Sequence, residues 1–290
     1  DSLIGGARRA HAFIKTFGKA KMQTSGTTDA SGCWIGDPLI AMQMRMDTWQ
    51  KFWGRDKDEA EEKIQILDDL KAQIRVEQST DPLPELTSHS ISTVVYRMKK
   101  ERGKGTDGWT PGEMRHLPTG AFDSLAQILE QCERAIAWPS AALCTITALI
   151  PKATGGERPI ALTNLLYAIW SQARRCHGSA WEQEHVGFWD TAVKGSDALR
   201  TSIRRRCMDE SAKVLGICRA SVFWDMEKFY DTINTKALIS LAVAMHYPKI
   251  NLALGMLLHW APRVLRCGGH CSRIQAVHSS ILAGCTQSTT

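Results

Sequence analysis

The feature that most constrains this 290-residue chain is an apolar run over residues 214–224 that stops at an aspartate, Asp225. The run is short and rich in apolar residues, which predicts a buried β-strand. Tyr230 and Asp231 follow the aspartate after five and six residues. A carboxylate fixed at a strand end can bridge two Mg²⁺ ions, the arrangement that nucleotidyl transfer uses. The pattern D-x4-[FY]-D therefore predicts a metal-dependent site at Asp225, although so short a pattern also arises by chance.

A second segment predicts a β-hairpin with a basic lip. The β-prone residues 146–150 and the residues 158–162 flank a glycine-containing turn at 153–156. Lys152 and Arg158 lie on opposite arms, so both side chains can reach one phosphate group. Arginine binds phosphate oxygens through two parallel hydrogen bonds, and lysine acts as a point charge. The alternative is a pair of basic side chains that contact only solvent.

Periodicity and capping signals predict most of the remaining elements. Asp37 followed by Pro38 predicts a helix start, because the acid can cap the helix and proline fits its first turn. The stretch 24–32 is polar and predicts a linker. Apolar spacing predicts helices over 57–76, 88–102, 120–137, 196–213, 235–246 and 249–259, a long helix from Thr163, a hairpin over 263–277, and a helix that begins at Ile281.

Charge and hydropathy limit the kind of protein. The net charge of +6 and the pI of about 8.8 are a mild bias towards polyanions, and the basic residues concentrate at 97–104 and 200–206. No run of about 18 apolar residues occurs, so we expect no membrane span. The nine cysteines are scattered. Cys267 and Cys271 have histidines nearby, so a zinc knuckle is one possible interpretation of this pair. Reduced thiols in an intracellular protein are the simpler one.

In chain order, these segments resemble the reverse transcriptase domain of non-long-terminal-repeat (LINE-type) retrotransposons. The glycine-rich turn is similar to the family's K-A-P-G-P-D-G at Gly105, Asp107 and Gly108. The other similar segments are the hairpin 148–163 (I-P-K followed by R-P-I-x-L), the stretch 187–198 before the predicted strand, the strand end at Asp225, and 281–288, which is similar to I-L-Q-G-C-P-L-S. Together they cover residues 88–290.

The resemblance implies an α+β fold with the fingers and a partial palm of a right-hand polymerase. In this arrangement an antiparallel palm sheet carries helices, and a helical extension precedes it. The expected parts are an N-terminal extension over 1–85, a fingers-like region over 86–213 and a partial palm over 214–290. The reduced thiols favour a location inside the cell, and the resemblance alone implies that this location is the nucleus.

The resemblance also implies an enzyme, an RNA-directed DNA polymerase that extends a DNA primer on an RNA template with dNTPs. Mg²⁺, or Mn²⁺ in its place, would be the cofactor. Asp225 would be the catalytic residue and metal ligand, with the Met226 carbonyl as a further ligand. The nucleotide would contact Lys152, Arg158, Tyr230 (beneath the sugar) and Gly284 (through close backbone approach), and Arg102 and Lys104 would contact nucleic acid.

Two departures from the family pattern limit this expectation. Ala283 stands where the family has glutamine, and no [FY]-x-D-D motif occurs before Thr290. The single Asp-Asp pair, at 68–69, is predicted to be surface charge. Both ends look cut, so we expect a fragment that is inactive by itself and poorly soluble. Two alternatives remain: a degenerate retroelement remnant that at most binds RNA or DNA without catalysis, and a maturase of the group II intron type.

Overall fold

The computed structural model describes residues 26–80, 82–152, 156–187, 197–220 and 226–285, which combine helices with small sheets. No helix among them is both long enough and apolar enough to cross a membrane. The helices are α1 (Pro38–Trp53), α2 (Ala60–Thr80), α3 (Ser88–Arg97), α4 (Pro111–Met114), α5 (Thr119–Ala135), α6 (Leu165–Ala173), α7 (Arg175–His185), α8 (Ala198–Val214), α9 (Phe229–Thr232), α10 (Thr235–Ala244) and α11 (Lys249–His259). The strands are β1 (Thr27–Thr28), β2 (Trp34–Ile35), β3 (Thr145–Pro151), β4 (Glu157–Leu162), β5 (Arg263–Cys267) and β6 (His270–Cys271).

Both predicted hairpins form, and they join in one four-stranded sheet of order β4-β3-β5-β6. Strands β3 and β4 pair antiparallel, with Ile150 opposite Arg158, and β5 pairs antiparallel with β6. The central pair of β3 and β5 is parallel, with Thr145 opposite Arg263. The sheet is therefore mixed, whereas the resemblance implied an antiparallel one. Parallel pairing is possible here because the long helical segment between the two strands supplies the crossover.

Local capping fixes several helix ends. Asp37 accepts hydrogen bonds from the backbone N–H groups of Leu39 and Ile40, as the sequence predicted for α1. Asn164 caps α6 in the same way through the N–H of Tyr167. The long helix predicted from Thr163 is instead two helices, α6 and α7, which meet at Arg174.

The main hydrophobic core is built from apolar faces of α2, α3, α5, α6, α10 and α11. Periodicity predicts an apolar stripe on this helix at Ile64, Ile66, Leu67, Leu70 and Ile74. Leu67, Leu70 and Ile74 are buried in α2 and Ile66 packs against the core, whereas Ile64 points to solvent. A second core fills the space between α1 and the sheet. Because α2 shares the main core with α3 and α5, side chains from both sides of residue 85 pack together.

Three further sequence predictions were wrong where the structure describes them. Val214 ends helix α8, residues 217–220 have no regular structure, and all of 214–220 is exposed, so the predicted buried strand is not formed there. The rest of that strand lies outside the described residues. No helix begins over 281–285. The segment predicted as a linker contains β1, which pairs with β2. Apolar composition predicted burial at residue 214, but none of the described parts of the chain covers Val214, which is 84% exposed.

Candidate nucleotide-binding cleft

One cleft of about 670 Å³ brings together residues from widely separated parts of the chain. Its walls are the tip of the β3–β4 hairpin, the turn that leads into α9, the segment at 283–284, and Trp49 of α1. The lining includes five of the residues that the sequence singled out: Lys152, Arg158, Met226, Tyr230 and Gly284.

Strand register places the two basic side chains on one face of the hairpin. Arg158 lies opposite Ile150, and Lys152 is two residues beyond Ile150 on the same arm. Side chains alternate between faces along a strand, so Lys152 and Arg158 project in the same direction as diagonal neighbours. The backbone N–H of Lys152 donates to the carbonyl of Gly156 at 2.9 Å, which continues the ladder to the tip. Both side chains are exposed.

The opposite face of the hairpin is fixed to the N-terminal helix. Glu157, next to Arg158, accepts a hydrogen bond from Nε of Arg45 at 2.8 Å, and the Arg45 side chain is 6% exposed. Arg45 also donates to the carbonyl of Gly26 at 2.7 Å. Glu157 is therefore neutralised by a partner from α1, which leaves the net charge of the hairpin tip basic.

The segment 280–283 connects the hairpin to the turn around Tyr230. The N–H of Ala161 in β4 donates to the carbonyl of Ala283 at 3.1 Å, and the N–H of Ile281 donates to the carbonyl of Tyr230 at 2.9 Å. Gly284 follows with a φ of +88°, a conformation that favours glycine. The segment therefore fixes Tyr230 and β4 relative to each other, and glycine at 284 is required by the backbone angle.

A strained lysine closes the floor of the cleft. Lys228 has a φ of +51°, which is unusual for a residue with a side chain. Its ammonium group lies 4.1 Å from the centre of the Phe52 ring and 5.8 Å from that of Trp49. Cation–π attraction to these two rings of α1 offsets part of the backbone strain.

Asp231, the second carboxylate of the D-x4-[FY]-D pattern, points away from solvent. It is 5% exposed, and its Oδ1 accepts a hydrogen bond from Nε1 of Trp53 at 3.0 Å. Burial raises the pKa of Asp231, while the Trp53 hydrogen bond and the charges of Arg263 and Lys228 oppose the rise. Arg263 is itself fully buried, with its guanidinium 4.9 Å from the centre of the Trp53 ring. Burial lowers the pKa of Arg263 to about 10, so it remains a cation at neutral pH.

Asp225, the predicted metal ligand, lies outside the residues that the structure describes. The neighbouring Met226 is exposed at the edge of the cleft. Among the described residues, no group of three or more histidine, cysteine, aspartate or glutamate side chains could hold a metal ion. The carboxylates of Glu157 and Asp231 are engaged by Arg45 and Trp53, and the exposed carboxylate of Glu227, which also lines the cleft, pairs with Lys228 at 3.5 Å.

The glycine-rich turn at 102–108 packs against the start of α6 and does not line the cleft. Asp107 accepts a hydrogen bond from the N–H of Leu165 at 2.5 Å. The Arg102 guanidinium donates a hydrogen bond of 3.2 Å to the Thr163 hydroxyl, and burial lowers the Arg102 pKa. Lys104 forms an ion pair of 2.8 Å with Glu113. The predicted nucleic-acid contacts of Arg102 and Lys104 remain predictions.

A separate basic surface is formed by α8. None of its residues is buried, and it carries Arg200, Arg204, Arg205 and Arg206. Arg206 pairs with Glu210 at 2.6 Å on the same helix. This surface corresponds to the second basic cluster of the sequence.

Sequence reasoning missed the contribution of α1. Trp49 lines the cleft, while Phe52 and Trp53 hold the lining residues Lys228 and Asp231; the sequence instead predicts an extension outside the site over 1–85. The available signal was the density of aromatic residues at 49–53 on one helix, which is more than a linker needs. Comparisons with models of known protein families and with curated proteins return no match.

Proposed function

We propose that the cleft binds the triphosphate of a dNTP, and that the chain is the fingers and first palm segment of an RNA-directed DNA polymerase. The observation that carries the proposal is the meeting of Lys152, Arg158, Tyr230 and Gly284 in one cleft. These residues come from three segments that sequence pattern alone selects, without reference to any contact between them.

Each residue has a role that its position supports. Lys152 and Arg158 project from one face of a rigid hairpin and would hold the phosphates by charge and by paired hydrogen bonds. Tyr230 lines the same cleft, and its ring would pack beneath the sugar and disfavour a 2′-hydroxyl. Gly284 would let the nucleotide or template lie close to the backbone.

Mg²⁺ at Asp225 belongs to the proposal through the sequence pattern alone. When bound, such an ion would stabilise charge on the reacting phosphate and the attacking oxygen. The described residues of the chain would contribute phosphate binding and the positioning of the nucleotide.

Binding of dTTP, measured by calorimetry, tests the phosphate clamp. We expect Lys152→Gln and Arg158→Gln each to weaken binding about tenfold or more, the usual effect of losing a charge-assisted hydrogen bond. Arg175→Gln, at an exposed arginine outside the cleft, is the matched control and should change nothing. Tyr230→Ala should reduce the preference for dTTP over the corresponding ribonucleoside triphosphate. If Lys152→Gln, Arg158→Gln and the wild type bind dTTP with equal affinity, the proposal is rejected.

Primer extension on an RNA template tests catalysis separately. The sequence contains no [FY]-x-D-D motif, so we expect no extension by this chain alone. Primer extension above background that disappears in the Asp225→Asn variant would show that this expectation is wrong. The same result would support the assignment of the chain as a polymerase.

A second candidate is a non-catalytic RNA- or DNA-binding module, which the exposed arginines of α8 favour. In this case affinity for RNA should fall steeply with salt and should be insensitive to Asp225→Ala. Arg200→Gln should weaken RNA binding and reduce its salt dependence, whereas Arg158→Gln should not. If Arg158→Gln weakens RNA binding and Arg200→Gln does not, the result favours the polymerase cleft.

A further inference from the structure

A second cavity, of about 290 Å³, lies beside the cleft and shares Phe229 with it. Its walls are helices α10 and α11, with Trp181 of α7, Phe229 and Ile281 completing them. Almost all of this lining is apolar. Within the part of the chain that the structure describes, Asn251 and His259 are the strongly polar side chains that line it.

Helix α11 presents these two residues on a single stripe. Asn251, Gly255 and His259 are spaced four residues apart, so they lie on the same face of the helix. Gly255 has no side chain, which leaves the middle of the stripe open. With a rise of 1.5 Å per residue, the two polar residues are about 12 Å apart along the helix axis.

His259 supplies a hydrogen-bond donor. The backbone N–H of Leu282 donates to its Nδ1 at 3.0 Å, so in the neutral ring the proton must be on Nε2. Burial and the charge of Arg263 lower the pKa of His259 to about 3, so the ring is neutral at physiological pH. Nε2–H is therefore the donor that the ring can offer to a molecule in the cavity that His259 lines.

Asn251 supplies an acceptor. Its Nδ2 donates to the carbonyl of Arg174 at 3.2 Å, which fixes the orientation of the amide. Its Oδ1 is buried and has no partner among the described residues, and the residue as a whole is 1% exposed. A buried acceptor of this kind is costly unless something hydrogen-bonds to it.

We propose that this cavity is a binding site for an uncharged, mainly apolar small molecule with a hydrogen-bond acceptor at one end and a donor at the other. His259 Nε2–H would meet the acceptor, and Asn251 Oδ1 would meet the donor. The apolar walls exclude a charged ligand, and the volume suits a molecule of about one aromatic ring with its substituents. The proposal does not depend on the function of the neighbouring cleft.

Three aromatic probes test the two polar contacts in the full chain by calorimetry. The first probe, 4-hydroxyacetophenone, carries both a donor and an acceptor. The second, 4-methoxyacetophenone, lacks the donor, and the third, 4-ethylphenol, lacks the acceptor. We expect the first to bind about tenfold more tightly than either of the others, the effect of one hydrogen bond.

Variants then assign each contact to its residue. Asn251→Leu should abolish the preference for the hydroxyl over the methoxy group, and His259→Phe should abolish the preference for the ketone over the ethyl group. Gly255→Leu should fill the cavity and prevent binding of all three probes. Ala237→Leu, an exposed position of α10 outside the lining, is the matched control and should bind as the wild type does.

Three outcomes would overturn the proposal. The first is the absence of binding by any probe up to its solubility limit. The second is unchanged binding in a folded Gly255→Leu protein. The third is a dimer, detected by sedimentation, that the Leu241→Asp substitution dissociates but that the probes leave intact. This result would assign the mouth of the cavity to a second copy of the chain. If His259→Phe does not fold, as judged by circular dichroism, Gly255→Leu and Asn251→Leu still decide.

Discussion

Nε1 of Trp53 donates a hydrogen bond of 3.0 Å to Oδ1 of Asp231, across 178 residues of sequence. Both side chains are buried, with Trp53 at 0% and Asp231 at 5% exposure. The contact fixes α9, which carries Tyr230, to helix α1. An element that sequence patterns placed outside the site therefore supports it directly.

Trp53→Phe should destabilise the protein by about 3 kcal/mol, because the substitution leaves a cavity and removes a partner from a buried carboxylate. Urea unfolding measures the change. Trp34→Phe is the matched control. Because Trp34 is 59% exposed, this substitution should change the free energy of unfolding by no more than about 0.5 kcal/mol. Similar losses in the two variants would show that the Trp53–Asp231 contact is unimportant.

The pKa of His259 predicts acid destabilisation. The pKa is 6.5 for an unperturbed histidine and about 3 in the folded protein. Below pH 6.5 the unfolded state therefore binds a proton that the folded state does not, and stability falls as the pH decreases. The slope from this residue should approach about 1.4 kcal/mol per pH unit down to about pH 3.

The free energy of unfolding, measured between pH 7 and pH 4 in wild type and His259→Gln, isolates this effect. Other titrating groups contribute equally to both proteins, so the difference between the curves belongs to His259. The variant should lose less stability on acidification. Parallel curves would mean that His259 is accessible to protons in the folded state.

Glu133→Gln should destabilise the protein by about 3–5 kcal/mol, the cost of leaving one partner of a buried ion pair unpaired. Glu133 binds Arg174 through both carboxylate oxygens, at 2.7 and 2.6 Å, and also accepts from Trp170 at 2.7 Å. Lys71→Gln breaks the more exposed pair with Asp68 and should cost less than about 1 kcal/mol. Denaturant unfolding of both variants compares them, and an equal cost would contradict the assignment of a buried pair.

Gly105→Ala should cost about 2 kcal/mol, because an added Cβ would lie 2.5 Å from the carbonyl oxygen of Thr163 and 2.7 Å from the backbone of Asn164. Gly120→Ala, in helix α5, meets nothing within 4 Å and should be neutral or stabilising. Thermal unfolding of the pair provides the measurement. A neutral Gly105→Ala would show that the turn and the start of α6 can separate without cost.

Much of the secondary structure followed from local signals. The Asp37 cap, the stripe of Leu67, Leu70 and Ile74, and the two hairpins depend on residues close together in sequence, and all of them were predicted correctly. The buried strand predicted over 214–224 does not form over residues 214–220, the part that the structure describes, because apolar composition predicts burial only where another face is available to cover it.

The candidate cleft was partly predictable. The chemistry of Lys152, Arg158 and Tyr230 is visible in their types and order, but their meeting in one cleft depends on the bridge through Ile281 and Ala283. That bridge consists of backbone hydrogen bonds, which leave no mark in the side-chain pattern.

The sequence by itself determined the two hairpins of the four-stranded sheet, most of the helices and which basic and aromatic residues could serve a nucleotide. These features depend on short-range periodicity and side-chain chemistry. Only the tertiary structure decided that α1 supports the cleft through Trp53 and Asp231, that β3 and β5 pair in parallel, and that Asn251 and His259 face one cavity. These features result from packing between segments that are distant in the chain, where many sequences satisfy the same geometry and no local pattern specifies it.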